Sequence, residues 1–381
     1  MGDATTAPAV PTLATWMSPS ASRWAFRHVR ELIPSARIAA AAPEVLRQDP
    51  DPELMALRFT TPDGSVRSLE EHLAIIPVDA LAVLSGDAFV LDWYAPGVAP
   101  TDQHIAFSVT KSITGLLAGA LAADARLDLD ADVVRYVPQL RHSGYGTATV
   151  RHLLDMSASI CFEEDYSPGA DMQRYRSSTG WSPERDSGGL HVFLCGLHAA
   201  GPHGQAFSYI SPTIDALGWV CERAAGMRYA DAVSRYLWRP AGAESDGEIT
   251  VDPFGAPRAA GGLSATARDL ARIGRLVRDG GRGVLPEWFV ADLFEGGDPA
   301  LWAAGSFAEF FPAGAYRSCW YQPVHGGDVV CAIGIHGQLL YVDRSAGVVA
   351  AVQSSRAQPD DDDADLATLA AVSAICEALA S

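Results

Sequence analysis

Apolar residues recur every three or four positions along several stretches of the chain, a spacing that places them on one face of a helix. Gly226 is a natural helix end, and Thr266 with Asp269 three residues later is typical of a capped helix start. The pattern predicts long helices at residues 21–33, 108–127, 212–226, 264–281 and 363–380, and weaker or shorter ones at 130–140, 149–160 and 187–199.

Short apolar runs separated by turn residues predict β-strands near both ends of the chain. Residues 81–94 read as two strands around a Ser-Gly-Asp turn, and residues 328–355 read as a three-stranded meander. Because the middle of the chain is mostly helical, we expect an α+β fold of the α/β sandwich type. An antiparallel sheet from the N- and C-terminal segments would be flanked by helices, with an inserted, mainly helical lobe.

This order of elements predicts one unit with a discontinuous main domain. We expect a disordered or extended N-terminus at residues 1–20 and an α/β domain formed by residues 21–130 and 250–381. The inserted lobe of helices and loops would cover residues 131–249. Within it, residues 161–206 are rich in glycine, serine, proline and charge, and long loops of this kind are often functional.

Charge and cysteine usage exclude several classes of protein. A formal net charge of −18 disfavours binding to nucleic acid or to anionic membranes, which would repel the chain. The start has no signal-peptide pattern, and no run of 18 apolar residues occurs. The six cysteines lack CxxC spacing, so we expect free thiols in the cytoplasm and neither a metal site nor another cofactor.

Lys111 is the only lysine, since the other 27 of the 28 basic residues are arginine. It follows Ser108 by three positions at the start of the predicted helix 108–127, so the two side chains would share a face. A serine needs a base to become a nucleophile; a lysine in apolar surroundings can lose its proton, whereas arginine cannot. The pair therefore predicts a nucleophile and its base. The alternative is that these are ordinary residues at the start of a helix, without a catalytic role.

Two further stretches could complete such a site. Tyr209, in "FSYIS" just before a predicted helix, could pass protons to a leaving group, although a tyrosine here could equally be core packing. The glycines of "AIGIHGQ", residues 332–338, would let a ligand approach a strand that presents N–H groups at its edge. The alternative is a strand broken by glycine.

Six ordered stretches resemble the serine β-lactamase-like superfamily, which includes class C β-lactamases, DD-peptidases and related esterases. Within it, the resemblance is nearest to the 6-aminohexanoate-dimer hydrolase (nylon oligomer hydrolase) group and runs from about residue 16 to 355. The stretches are "SRWAFRHVRELIP", "SVTKS", "CFEEDYSPGADM", "FSYIS", "GGLSATARDLARIGRL" and "GIHGQLLYVD".

The resemblance implies roles for particular residues. Ser108 would be the nucleophile, Lys111 its base and Tyr209 the proton relay. The backbone N–H groups of Ser108 and Ile335 would form the oxyanion hole. Tyr166 matches a tyrosine that closes over the substrate and hydrogen-bonds its amide. The other substrate-binding candidates are Trp181, Ser211, Trp320 and His336.

Two departures limit the substrate class. Ser211 stands where β-lactamases have asparagine, and no Lys-Thr-Gly motif occurs, so we do not expect a good penicillinase. No G-x-S-x-G elbow, H-E-x-x-H or P-loop motif is present. We expect a serine hydrolase that acts through an acyl-enzyme on a small amide or ester. Two other functions stay open: an acyltransferase that passes the acyl group to an amine or alcohol in natural-product biosynthesis, and an inactive binding protein of the same fold. A homodimer also stays open.

Overall fold

The computed structural model describes residues 10–165, 170–184 and 188–380. Short 3-10 helices lie at Val29–Glu31, Leu54–Ala56, Val133–Arg135 and Pro138–His142, and a π-helical turn lies at Ser234–Trp238. The α-helices among these residues are α1 (Ser22–Ala25), α2 (Leu69–Ile75), α3 (Val109–Ala123), α4 (Val150–Leu154), α5 (Ala170–Ser178), α6 (Gly189–Cys195), α7 (Ser211–Ala225), α8 (Tyr229–Val233), α9 (Ala267–Arg278), α10 (Glu287–Glu295), α11 (Pro299–Ala303) and α12 (Asp362–Ala380).

The strands form a large sheet and two small ones. They are β1 (Ser35–Ile38), β2 (Arg47–Gln48), β3 (Arg58–Thr60), β4 (Val66–Ser68), β5 (Val78–Ser85), β6 (Ala88–Tyr94), β7 (His104–Ile105), β8 (Gly247–Thr250), β9 (Leu263–Ala265), β10 (Ala315–Arg317), β11 (Trp320–Gln322), β12 (Val329–Gly334), β13 (Gln338–Asp343) and β14 (Val348–Ser354).

The large sheet joins the two ends of the chain, as the sequence predicted. Its order is β10-β11-β12-β13-β14-β5-β6-β2, and the two halves meet where β14 pairs with β5, with Val349 opposite Leu84. All neighbours are antiparallel except the edge strand β2, which runs parallel to β6. The predicted hairpin at residues 81–94 and the C-terminal meander are both present, so the α+β expectation is confirmed.

Helix α3 is the buried centre that positions the site. Every residue from Val109 to Leu121 is buried, and after the polar first turns the helix consists of small and apolar residues only, as expected of a helix that is buried on all sides. Its glycines allow very close packing: a Cβ at Gly119 would lie 2.5 Å from the ring of Phe289. Helices α7 and α8 of the middle segment and strand β12 of the large sheet pack against it.

A second sheet, of order β1-β8-β9-β7, was not anticipated. Its strands have two to four residues, too few for an alternation of apolar and polar residues to be recognised. They also pair between segments that are distant in sequence, with Ser35 opposite Thr250. Strand β8 straddles the predicted boundary at residues 249 and 250. The division into an α/β domain and an inserted lobe stays a prediction.

The N-terminal segment differs from its predicted form. Instead of one helix at residues 21–33, α1 is followed by a turn and a 3-10 helix, and the Phe26 carbonyl accepts a hydrogen bond from Ile105 N–H (2.8 Å). Residues 10–20 form turns rather than disordered or extended chain, because Trp16 is buried against Phe107 and Trp181. Residues 1–9 lie outside the described range.

The middle segment also holds an unpredicted helix. Helix α5 has an almost wholly polar sequence around Tyr175, so no apolar stripe marked it in advance. Helix α6 falls inside the weak prediction at 187–199. In the part of the chain that the structure describes, no helix is long and apolar enough to cross a membrane.

Candidate active site

Ser108 and Lys111 meet at the first turn of α3. Lys111 Nζ lies 2.7 Å from Ser108 Oγ and 2.8 Å from the carbonyl oxygen of Ala260. Both side chains are buried, with Ser108 8% and Lys111 2% exposed. The preceding residue, Phe107, has a left-handed backbone (φ 42°), a costly conformation that aromatic packing against Trp16 holds in place.

The surroundings of Lys111 favour loss of its proton. Burial lowers the pKa of the Lys111 amine to about 8, because the charged form loses its hydration. The nearby guanidinium of Arg258 lowers this pKa as well, while the carboxylates of Glu164 and Asp215 raise it. A neutral amine is therefore accessible near physiological pH, and it already contacts a serine hydroxyl.

Tyr209 completes a compact polar group. Lys111 Nζ lies 4.9 Å from the centre of its ring. Burial and the charge of Glu164 raise the pKa of the Tyr209 phenol well above its usual range, against the opposing effect of hydrogen bonds with Ser108 and Tyr321. The phenol is thus held in its neutral form, which can donate a proton.

The end of strand β12 lies against the start of α3. A Cβ at Gly334 would fall 3.0 Å from Ser108 N and 2.8 Å from the Ala106 carbonyl oxygen, so only glycine permits this approach. The next residue, Ile335, lines the same cleft as Ser108. Backbone groups of the strand and of the helix start are thus neighbours at the position where the sequence predicts an oxyanion hole.

A cleft of about 550 Å³ opens over Ser108. Tyr209, Tyr321, Phe307 and Phe310 give it aromatic walls. Among the described residues, acidic side chains line it and neither lysine nor arginine does, a composition that favours cationic ligands. The acidic residues that line it are Glu163, Glu164, Glu309, Asp360, Asp362 and Asp365.

Glu164 is a site residue that the sequence analysis missed. Its carboxylate accepts hydrogen bonds from the N–H and the Oγ of Ser211, each at 2.5 Å, at the N-terminus of α7. Ser211, a predicted substrate-binding residue, therefore has its donors engaged within the protein. The acidic run beside Tyr166 was the only available signal. Tyr166 itself lies outside the described residues.

Trp181 and His336 lie near the site but are held by the protein. Trp181 is 7% exposed, donates its indole N–H to Thr250 Oγ1 (3.0 Å) and borders a small cavity beside Lys111. His336 is buried behind Phe107, with Nδ1 2.7 Å from the Arg356 carbonyl oxygen. Burial lowers the pKa of His336 to about 4, which keeps the ring neutral.

Trp320 requires a correction, because it does not line the cleft. Its side chain is fully buried in the main core, and the neighbouring Tyr321 lines the cleft instead. The side chains of successive strand residues point to opposite faces of the sheet. Because Trp320 and Tyr321 are neighbours on β11, one points into the core and the other toward the cleft.

Metal-ligating side chains do not gather anywhere in the residues that the structure describes: no group of three or more histidine, cysteine or acidic side chains could hold an ion. The cysteines are free, and only Cys161 is exposed.

Comparisons with known proteins identify a family and two named relatives. The family model described as Beta-lactamase matches residues 66–375. The chain is 38% identical over 357 residues to the 6-aminohexanoate-dimer hydrolase of Paenarthrobacter ureafaciens, covering 92% of this chain and 89% of that protein. It is 28% identical over 192 residues to Esterase EstB of Burkholderia gladioli, covering 46% and 48% of the two chains.

A solved structure from Bacillus anthracis, provisionally assigned as a 6-aminohexanoate-dimer hydrolase, superposes with a TM-score of 0.86. The two chains share 25% sequence identity, and the match covers 98% of each. The match to the family model extends over most of the chain, including α3 with its Ser-x-x-Lys sequence and strand β12. The chain belongs to the beta-lactamase family.

Proposed function

We propose that this chain is a serine hydrolase that cleaves small amides or esters through an acyl-enzyme on Ser108. The observation that carries the proposal is the 2.7 Å contact between Ser108 Oγ and Lys111 Nζ, a buried amine whose pKa is lowered. The names of both relatives support a hydrolase, since one is a 6-aminohexanoate-dimer hydrolase and the other an esterase.

Acylation would use the three side chains in turn. Lys111 takes the proton of Ser108 as Oγ attacks the substrate carbonyl carbon, and the N–H groups of Ser108 and Ile335 stabilise the oxyanion. As the intermediate collapses, Tyr209 gives its proton to the leaving nitrogen or oxygen and regains one from Lys111. The bond to the leaving group breaks and an ester on Ser108 remains.

Deacylation would repeat the sequence with water. The amine of Lys111, neutral again, draws a proton from water through Tyr209, and the hydroxide equivalent attacks the acyl carbon. Ser108 leaves with a proton and the acid product is released. The small volume of the cleft, about 550 Å³, fits a small substrate rather than a polymer held along its length.

An acyltransferase remains the alternative, with an amine or alcohol in place of water. A tyrosine that closes over the acyl-enzyme and excludes water would favour transfer; Tyr166, the candidate for that position, lies outside the described residues. The two functions differ in whether the acyl-enzyme reacts with water or with an amine. If water is the natural acceptor, an amine added to the reaction of a slow ester substrate should yield little amide product. Predominant aminolysis at millimolar amine would favour transfer.

The proposed function is tested by labelling with a fluorophosphonate and by hydrolysis of p-nitrophenyl butyrate. Wild type should label at Ser108, as mapped by mass spectrometry, and Ser108→Ala should neither label nor turn over. Ser345→Ala, an exposed serine in the turn after β13, serves as the matched control and should keep full activity. An unlabelled wild type would favour the inactive binding protein.

A further inference from the structure

The segment from Ala259 to Leu263 is fastened along one face of α3. Thr114 Oγ1 donates to the Ala259 carbonyl (2.7 Å), and Lys111 Nζ donates to the Ala260 carbonyl (2.8 Å). Leu263 N–H donates to Thr110 Oγ1 (3.1 Å). The Ala260 carbonyl is thus one of two fixed acceptors for the Lys111 amine, the other being Ser108 Oγ.

Asp215 holds the same residue from the opposite side. Its Oδ1 accepts the Ala260 N–H at 2.8 Å, and its Oδ2 accepts from Arg258 Nη1 at 2.6 Å and from the Tyr175 hydroxyl at 2.5 Å. The Asp215 side chain is 0% exposed and the Arg258 side chain 9%. Asp215 does not line the cleft, so it has no path to a substrate bound there.

We propose that Asp215 is a positioning residue for the reaction proposed above, acting on Lys111 through Ala260. A neutral amine can take the Ser108 proton only if its lone pair points at Oγ. Rotation about the Cε–Nζ bond sets that direction, and the Ala260 carbonyl fixes the rotation by accepting one amine N–H. Asp215 keeps the carbonyl in place because its carboxylate binds the N–H of the same residue.

Asp215 and Arg258 also balance each other electrostatically at the base. The titratable and charged groups that act on Lys111 are Tyr209, Glu164, Arg258, Asp215 and Cys319. Loss of the Asp215 charge removes a carboxylate that favours the charged amine and leaves the opposing effect of the Arg258 guanidinium in place. The pKa of Lys111 should then fall further, because Asp215 raises it and Arg258 lowers it.

The test is Asp215→Asn, assayed with a neutral p-nitrophenyl ester across pH and normalised to the number of sites that a fluorophosphonate labels when the reaction is run to completion. We expect kcat to fall by roughly 10- to 100-fold, the usual scale for removing a partner that orients a reactive group. KM should stay near wild type, and the acid limb of the pH profile should move to lower pH. If Asp215 only supported the fold, the variant would have a smaller labelled fraction. Its kcat per labelled site and the acid limb of its pH profile would stay at the wild-type values.

Two more variants fix the interpretation. Asp269→Asn removes another fully buried carboxylate that accepts backbone N–H groups, those of Glu244 and Ser245, and it should leave kcat per site and the pH limb unchanged. Asp215→Glu keeps the charge but displaces the carboxylate from Ala260, so kcat should fall while the limb stays in place.

Wild-type kcat per labelled site in both Asp215 variants would overturn the proposal. Failure of both Asp215 variants to fold would also overturn it, because the role of Asp215 would then be to stabilise the fold and not to position Lys111. If the wild-type enzyme itself neither labels nor turns over, the proposed function fails instead, and the two failures are thereby distinguished.

Discussion

Gly334 and Ser108 approach so closely that a Cβ at position 334 would lie 3.0 Å from the Ser108 backbone nitrogen. They are separated by more than 200 residues in the chain, and the contact joins the last residue of a sheet strand to the N-cap of the central helix. This contact sets the spacing between the two backbone segments whose N–H groups would receive an oxyanion.

Gly334→Ala should therefore damage catalysis more than stability. The added Cβ would also lie 2.8 Å from the Ala106 carbonyl oxygen, and backbone atoms cannot move aside cheaply. Displacement of one oxyanion donor costs about 10²-fold in kcat. Ester hydrolysis and thermal melting measure the two effects. Gly196→Ala is the control, because nothing lies within 3.4 Å of a Cβ there.

Lys111→Arg should be nearly as damaging as Lys111→Ala, although it keeps the positive charge. Guanidinium does not lose its proton, so it cannot serve as a base. Each variant should lose roughly 10²-fold or more in kcat/KM for p-nitrophenyl esters. If the arginine variant kept the wild-type rate, Lys111 would act only as a positive charge near Ser108 and not as its base.

The activity of the wild-type enzyme on a neutral ester should rise with pH. Burial places the pKa of Lys111 at about 8, and the protonated amine present below that pH cannot accept the Ser108 proton. We expect kcat/KM to be half-maximal near this value and to fall about tenfold per pH unit well below it. A profile that is flat between pH 6 and 9 would contradict the assignment. His336, whose pKa is about 4, should add no transition in this range.

Tyr209→Phe should separate amide from ester substrates. The variant keeps the ring beside Lys111 but removes the hydroxyl that would protonate the leaving group. An amide nitrogen needs that proton, whereas p-nitrophenolate leaves without it, so acylation, followed as pre-steady-state release of the leaving group, should slow by about 10²-fold for the amide and much less for the ester. Parallel rates on matched anilide and ester substrates measure this. Equal losses on both would mean that the phenol acts before the leaving-group step.

The acidic cleft should select substrates by charge. An ester that carries a quaternary ammonium group should have a higher kcat/KM than an isosteric neutral or carboxylate ester, because only acidic charges line the cleft among the described residues. Raising salt to about 1 M, where the screening length is about 3 Å, should narrow the difference. Glu309→Gln should weaken the preference, and Glu70→Gln, on the exposed face of α2, should not.

Local pattern was sufficient for part of the large sheet, for four of the long helices and for the pair Ser108 and Lys111. The hairpin of β5 and β6, the C-terminal meander and helices α3, α7, α9 and α12 all lie where apolar spacing and caps predicted them. Ser108 and Lys111 are three residues apart on one helix, so their contact follows from helix geometry alone. The lone lysine made that contact visible in the sequence.

Tertiary structure alone decided what surrounds this pair. Lys111 reaches the Ala260 carbonyl across 149 residues, Asp215 reaches Ala260 across 45, and Glu164 reaches Ser211 across 47. The small second sheet and the core position of Trp320 also depend on pairing between distant segments. Spacing along a chain encodes only which residues share a face. Packing of the whole core decides which faces meet, and in this protein it places carboxylates, a guanidinium and a carbonyl oxygen around Lys111, the proposed base.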